Sequence, residues 1–415
     1  MTPRLICWAT GLLLAGAAQA QAFYPGHLPT EAMVHDALAQ APAVQAADAM
    51  VQSALAHAQG LRAGMHETTI SATGQRRWIR EGGRERFAEG QIAVERAVRL
   101  GGKAEADAGL ADATVRMSEI SARDARHETA RQLLALWFAA QRAGQTRDAA
   151  QDNARAADEL ATLTQGRLRA GDASRLDTEL AQAEKARTQA DLATAQAAEQ
   201  SALAELQARF PAIGKPTLGD KALALPSLPD ELSAQMRTRY IEHSHAYLLA
   251  QAEEAYALHQ ARRTDLERRP DPTIGVFAGS ERGGAERVLG LSLSLPLGSA
   301  YRQAQAQAAT AEAQAALSRR LTVEQRLGAE FDTLWQQAKG RHTAALAQAH
   351  AARLQRSATE RGLRAYRAGE SGLAELLTIQ RIAAQALLAQ RQAQSEALES
   401  HSRLLLDLRQ LWDLE

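Results

Sequence analysis

Residues 165–210 and 363–408 are two copies of one element, and a repeat of that size at that distance leaves few folds open. The first copy contains QGRLRAGDASRLDTELAQAEKARTQADLATAQ and the second GLRAYRAGESGLAELLTIQRIAAQALLAQRQAQ. Without a gap, Ala170-Gly171-Asp172 falls on Ala368-Gly369-Glu370 and Asp177 falls on Glu375, an offset of 198 residues. Solenoid repeats recur at roughly 20–50 residues, so this spacing implies duplication of a whole fold. Each half must then contain the same parts.

The N-terminus supplies a basic Arg4, an apolar run over 5–18 and the small-residue site Ala18-Gln19-Ala20. That order reads as a cleaved secretory signal over 1–20, and the run is too short to span a bilayer as a helix. Cys7, the single cysteine, lies inside it. The mature chain therefore has no route to disulfides, thiolate metal sites or an N-terminal lipid thioether. Lysine plus arginine and aspartate plus glutamate both number 48, and aromatics make up 4%. With no basic block and no stacking aromatics, nucleic acid is set aside as a partner. Alanine, glutamine, arginine, glutamate and leucine dominate, which favours long helices and coiled coil.

Each half runs helix, hairpin, long helix and returning helix. The first helix covers about 30–65, and a hairpin covers 67–100 with Gly82-Gly83 as its turn. Ile92, Val94 and Val98 alternate with Ala93, Glu95 and Arg99 there, the period of a strand with two unlike faces. A helical hairpin follows over 103–210. Four prolines over 211–229 mark a connector between the first repeat, 21–210, and the second, 230–415. The second repeat reads as a helix over 230–268, a hairpin over 272–297 and a helical hairpin over 301–412. Leu289, Leu291, Leu293 and Leu295 alternate with Gly290, Ser292 and Ser294, the clearest strand signal in the chain.

A helix of some 65 residues is roughly 100 Å long, so these hairpins need partners along their whole length. No apolar run beyond residue 20 is long enough for a membrane helix, but the strands are of the length that crosses a bilayer when tilted. Four strands cannot close a barrel, and lipid tolerates no open edge. Other copies of the chain must complete the sheet.

Three stretches carry a family resemblance. They are QIAVERAVRLGGK at 91–103, RPDPTIGVFAGSERGGAERVLGLSLSLPL at 269–297, and the two Ala-Gly-Asp/Glu turns. In this order they resemble TolC-like outer-membrane efflux proteins, nearest the branch serving cobalt–zinc–cadmium and copper–silver exporters. The resemblance implies a mainly α fold with a membrane β portion. A homotrimer would pool four strands per chain into a 12-stranded barrel, set on a long periplasmic tunnel of helical hairpins. It implies a passive exit duct for heavy-metal cations, working with a periplasmic adaptor protein and an inner-membrane RND transporter, with no catalytic residue, cofactor or bound metal. Drug or solvent efflux and type I secretion use similar ducts, and a soluble periplasmic coiled-coil scaffold is the reading from a different class.

The same resemblance makes Glu375 and Asp177 candidates for acidic rings at a periplasmic aperture, with Thr378 standing where some members carry a second acid. It makes the tips, with Arg169, Gly171, Asp172, Arg367, Gly369 and Glu370, candidates for adaptor contact. The plain alternatives are helix-start charges favoured by the macrodipole and glycines supplying a turn. Trp78, Phe87 and Phe277 are candidates for the aromatic girdles of a barrel. His243-Ser244-His245 suggests a metal site, but residues two apart on one helix diverge too far to share an ion. Arg367 and Arg381 are the nearby cations expected to hold Glu375.

Overall fold

The computed structural model describes residues 28–80, 83, 85–216, 225–226, 234–298 and 300–414. The segment read as a secretory signal, Gly82 and most of residues 211–229 lie outside them. In chain order the elements are α1 (Glu31–Gln40), α2 (Pro42–Ala63), β1 (Thr68–Ile79), β2 (Glu85–Ala97), α3 (Lys103–Ala170), α4 (Arg175–Arg209), α5 (Ala234–His243), α6 (His245–Leu266), β3 (Thr273–Glu281), β4 (Glu286–Ser294), α7 (Ala300–Ala368) and α8 (Leu373–Asp407). The duplication is close in the helices. α3 and α7 have 68 and 69 residues, about 100 Å each. α4 and α8 have 35 each. It is looser in the strands, where the first hairpin has 12 and 13 residues and the second 9 and 9.

Two helices expected to be continuous are broken. Pro42 cannot donate to a preceding turn and pushes Ala41 to an extended backbone, which separates α1 from α2. Ser244 is likewise extended, at φ −65° and ψ 127°, and separates α5 from α6. His243 and His245 therefore belong to different helices, and the geometric argument that set them on one helix does not apply. His245 instead turns inward and is buried, while His243 stays exposed.

The four strands form one antiparallel sheet in the order β1-β2-β3-β4. The central pairing joins the repeats, running from Gly90 opposite Ser280 to Ala97 opposite Thr273. β1 and β4 are the edges. The helices extend from one end of this sheet. α3 packs on α2 and α6 near the sheet and on α4 and α8 farther away, while α7 runs beside α6 and then α8.

Bulky core residues gather midway along the long helices, at positions the duplication repeats. Leu133 and Trp137 of α3 pack with Val34, Leu206, Phe210, Leu398 and Trp412. Phe331 and Trp335, their equivalents 198 residues on, pack with Tyr240, Leu327, Leu404 and Leu408. Elsewhere the buried positions of α7 are mostly alanines, such as Ala306, Ala309, Ala313 and Ala316. Small side chains let the backbones approach, so the hairpins stay slender and the large residues form a waist.

A clasp of buried charge joins sheet to helices. Gly101 and Gly102 both take positive φ, 67° and 82°, and turn the chain sharply from β2 into α3. The first residue of α3, Lys103, is only 1% exposed. Its ammonium donates to the Arg269 carbonyl at 2.7 Å and pairs with Asp271 at 2.9 Å. Asp271, between the two prolines, also accepts from the Leu100 N–H and from His66, each at 3.1 Å. Its burial pushes the carboxyl up, but Lys103, Leu100 and His66 outweigh that and hold it below the usual range. Arg99 completes the clasp by donating to the carbonyls of Leu61, Arg62 and Ala63, the last turn of α2, and to Asp107 at 2.9 Å. At the equivalent place in the second repeat stands Tyr301, 77% exposed. The clasp is one-sided.

A second polar cluster lies behind the waist. Asp407 accepts from Arg131 at 2.8 Å and Arg403 at 2.9 Å, with His127 at 3.8 Å. The His127 ring meets that of His245 at 5.3 Å, and Arg409 reaches His245 Nε2 at 3.0 Å. Burial, then the charge of Arg409, hold the His245 imidazole down to about 3. Burial and Arg131 lower His127 as well, against the pull of Asp407.

Two expectations follow. Lys103→Met leaves a buried carboxylate without its cation and should cost about 3 kcal/mol of stability, read as a lower thermal midpoint. Adding Asp271→Leu should restore part of it, because both charges are then gone. The histidines give a pH dependence. Their folded pKa lies below the unfolded value near 6.5, so the unfolded chain binds more protons and stability is lost as pH falls from about 6.5 toward 3. Asp124, raised by burial, titrates in the opposite sense in the carboxylate range. Melting curves at pH 7 and 5 should diverge for the natural chain and draw together in His245→Gln.

Candidate functional site

The sheet sorts its side chains by chemistry. Cross-strand partners share a face, and the register puts Ile70, Ala72, Ile92, Val94, Ile274, Val276, Leu289, Leu291 and Leu293 on one side. Leu289, Leu291 and Leu293 are 85%, 83% and 74% exposed. Such a contiguous apolar surface is costly in water and marks a contact with lipid or protein.

The other face is polar. Glu89 is buried there, accepting from Gln75 at 2.8 Å and pairing with Arg77 at 3.1 Å. Glu95 reaches across β3 to accept from Ser292 of β4 at 2.8 Å. The crossing depends on Gly275, where an added Cβ would stand 2.6 Å from Glu95 and 2.5 Å from Ser292. Phe277 lies over Gly290 in the same way, with its ring 2.4 Å from where a Cβ would be. Phe87 and Phe277, expected in an aromatic girdle, therefore stand on the polar face with Glu89, Gln91 and Glu95. Only Trp78, 64% exposed, is on the apolar face. Among the described residues no helix is long and apolar enough to cross a membrane.

At the far end the two tips share one backbone design. Gly171 and Gly369 sit at φ 84° and 78°. Each is followed by a residue whose N–H closes a Schellman turn, Asp172 to the Arg167 carbonyl at 2.8 Å and Glu370 to the Ala365 carbonyl at 2.9 Å. Arg169, Gly171, Asp172, Arg367, Gly369 and Glu370 are all exposed. The tips are tied to each other by Arg167, which sequence reasoning missed. It donates to the Tyr366 carbonyl at 2.9 Å and lies 4.8 Å above the Tyr366 ring. Thr164 meets the Tyr366 hydroxyl at 3.3 Å over a core of Leu160, Leu373 and Leu376.

After the turns the repeats diverge. Ser174 and Asp177 form a capping box, in which Asp177 accepts from the Ser174 N–H and hydroxyl and Ser174 accepts from the Asp177 N–H. Gly372 replaces the serine in the second copy and has no side chain to cap with. Glu375 is consequently an exposed carboxylate outside any such box. Thr378 bonds the Ala374 carbonyl of its own helix at 2.8 Å. Arg381, expected near Glu375, instead makes 2.6 and 3.0 Å bonds to Glu184 of α4, which Arg187 also holds. Burial raises the Glu184 carboxyl, but the two arginines outweigh it and keep it below the usual range. This triad fixes α8 against α4 just inside the tips.

Among the described residues no group of three or more histidine, cysteine, aspartate and glutamate side chains is arranged to hold a metal ion. His245 is engaged by Arg409, and His243 contacts the Arg239 carbonyl at 3.1 Å.

No protein-family profile and no curated protein matches the sequence. Solved structures do. The channel-forming protein CusC superposes with a TM-score of 0.77 at 16% identity over 91% of each chain. The outer-membrane channel OprN gives 0.76 at 18% identity, over 91% of this chain and 89% of that one. The outer-membrane protein VceC of Vibrio cholerae gives 0.74 at 16% identity, over 92% and 96%. The chain thus has the TolC-like fold, a mostly helical body carrying a four-stranded antiparallel sheet.

Proposed function

We propose that this chain is the outer-membrane exit duct of a tripartite efflux system. The observation that carries the reading is the sheet, apolar on one face, polar on the other and open at both edges, continuous with helices about 100 Å long. Unpaired edges are not tolerated in lipid, so three copies would close a 12-stranded barrel with the leucines outward. The helices would form the periplasmic tunnel. The duct is passive and needs no cofactor; an inner-membrane RND transporter would supply the drive and a periplasmic adaptor would join the two.

Charge on the polar face supports cationic cargo. Among the described strand residues Glu85, Glu89, Glu95, Glu281 and Glu286 stand on it against Arg77, with Arg282 of the turn paired to Glu286. A lumen with that balance favours passage of cations, heavy-metal ions among them, by raising their local concentration without a tight site. At the tunnel's narrow end Glu375 is the better aperture residue, because the Asp177 carboxylate is already bound in its capping box. The exposed tips, with Arg169, Asp172, Arg367 and Glu370 around Gly171 and Gly369, are the proposed adaptor surface.

Leu291→Arg and Ser292→Arg test the membrane reading, since neighbouring residues face opposite ways. An arginine on the lipid face near the midplane costs roughly 2–4 kcal/mol, so Leu291→Arg should sharply reduce trimer recovered from the outer membrane. Ser292→Arg, whose cation lands beside Glu95, should assemble. Equal yields would reject the lipid-facing assignment.

The tips and the aperture are tested apart. At positive φ any side chain replacing Gly369 is strained, so Glu370→Trp, exposed and next to it, is the cleaner block. It should abolish export with trimer levels unchanged; normal export would remove the tips as the docking surface. Glu375→Ala should raise single-channel conductance or weaken cation preference in planar bilayers. If neither changes, that carboxylate only serves the start of α8.

A further inference from the structure

The strands contain three Glu-Arg pairs, Glu85-Arg86, Glu95-Arg96 and Glu286-Arg287. Successive side chains in a strand point to opposite faces, so the pleat splits every pair. All three glutamates join the polar face and all three arginines the apolar one. Arg76 adds a fourth cation to the apolar face, and no carboxylate of the described strands stands there. A surface made only to be soluble mixes both signs.

Three of these arginines gather at one end of the sheet, on β1, β2 and β4. Leu289 shares its level with Ala278, Ile92 and Ala72. One step nearer the hairpin turns, Arg287 is level with Ser280, Gly90 and Gly74. Arg76, opposite Ala88, comes a step later, and Arg86, opposite Trp78, a step after that. They occupy three successive levels directly beyond the apolar band, at the end away from the helices. All three are exposed, and none forms an ion pair among the described residues. The nearby carboxylates are used on the other face, Glu89 with Arg77 at 3.1 Å and Glu286 with Arg282 at 3.2 Å. Arg96 marks the opposite border and donates to the His66 carbonyl at 3.2 Å.

We propose that Arg76, Arg86 and Arg287 form a binding site on the lipid-facing wall for the phosphate groups of outer-leaflet glycolipid. The inference rests on the reading that the sheet spans the outer membrane. With the helices in the periplasm, the hairpin turns reach the outer leaflet, where anionic headgroups begin as the acyl chains end. The apolar residues match the acyl region and the arginines match the phosphates above it. Guanidinium is suited to that task because its planar fork binds phosphate oxygens in pairs. Its long apolar stem can lie on the band while the charge rises to the headgroup. Trp78 beside Arg86 fits the same interface, where aromatic rings settle.

The test uses the full-length assembly purified from membranes, with bound lipid read by native mass measurement. The probes are diphosphoryl lipid A and lipid A stripped of both phosphates. The natural protein should retain the diphosphoryl form and release the stripped one. Arg76→Gln, Arg86→Gln and Arg287→Gln together should lower retention tenfold or more. A charge-matched control, Arg319→Gln, Arg353→Gln and Arg356→Gln on exposed positions of α7, should leave it unchanged. Should the sheet triple fail to assemble, each single variant should still lower retention at least twofold. Equal retention by the natural and substituted trimers, or of both lipids, overturns the proposal while leaving the duct intact. A chain recovered from the soluble fraction overturns the membrane reading and this inference with it.

Discussion

The structure depends on one buried ion pair where strands become helices. A sheet twists and a long helix does not follow it, so the two must be locked at their junction or the 100 Å hairpins would swing on a hinge. Lys103 and Asp271 supply that lock. They come from opposite repeats, so the contact also holds the central β2–β3 pairing in register, since Val98 bonds the Pro272 carbonyl at 2.9 Å beside it. A buried ion pair is rarely worth much net stability, but losing one partner is expensive. In this arrangement the Lys103 ammonium is satisfied wholly by residues of the other repeat, Asp271, Glu267 and the Arg269 carbonyl. Arg99 extends the same logic to α2 by holding its last three carbonyls.

Much of this fold was legible because its signals are local. The alternating leucines of β4 need only a period of two, and the tips need only a glycine after a helical run followed by another run. The 198-residue offset then says that whatever one half does the other repeats. The unreadable parts are the long-range ones. Gly-Gly-Lys and Pro-Asp-Pro were visible as separate motifs, yet nothing local says that Lys103 bonds Asp271 across more than half the first repeat, all of the connector and the α5 and α6 helices. The breaks at Ala41 and Ser244 show two degrees of difficulty. Pro42 announced the first, whereas no proline or glycine marks the second, where Ser244 is extended and the buried His245 meets Arg409. Phe87 and Phe277 were assigned by residue type and not by register. Counting along the strand from Leu291 through its partner Val276 puts Phe277 on the polar face.

Divergence between the repeats is informative where the duplication makes it measurable. Both tips keep the glycine and the turn, so that geometry is required twice. Ser174 and Gly372 differ, and with them the fate of the acid three residues on. In the first copy the carboxylate is held by its own helix start; in the second it is released. The waist shows the opposite pattern, with Trp137 and Trp335 retained in place while their surroundings differ. Packing positions were kept and a surface charge was set free. That combination points to α8, more than α4, as the helix whose first turn does something besides begin.

A formal net charge of zero conceals how unevenly this chain distributes charge. In the strands the sorting needs no long-range design, because a Glu-Arg pair in an extended backbone separates its own signs. It also makes register self-enforcing. Slipping one strand by one residue would carry its glutamate to the apolar face and its arginine to the polar one, along with every leucine. The two errors are unequal in lipid. An arginine near the border can extend its stem back to the anionic headgroups, while a shorter glutamate meets only like charge there and must be protonated or repelled. The same pleat thus builds the acid-biased inner wall proposed for cation passage and the basic outer rim proposed for phosphate. Neither wall can be altered by shifting a strand without spoiling the other.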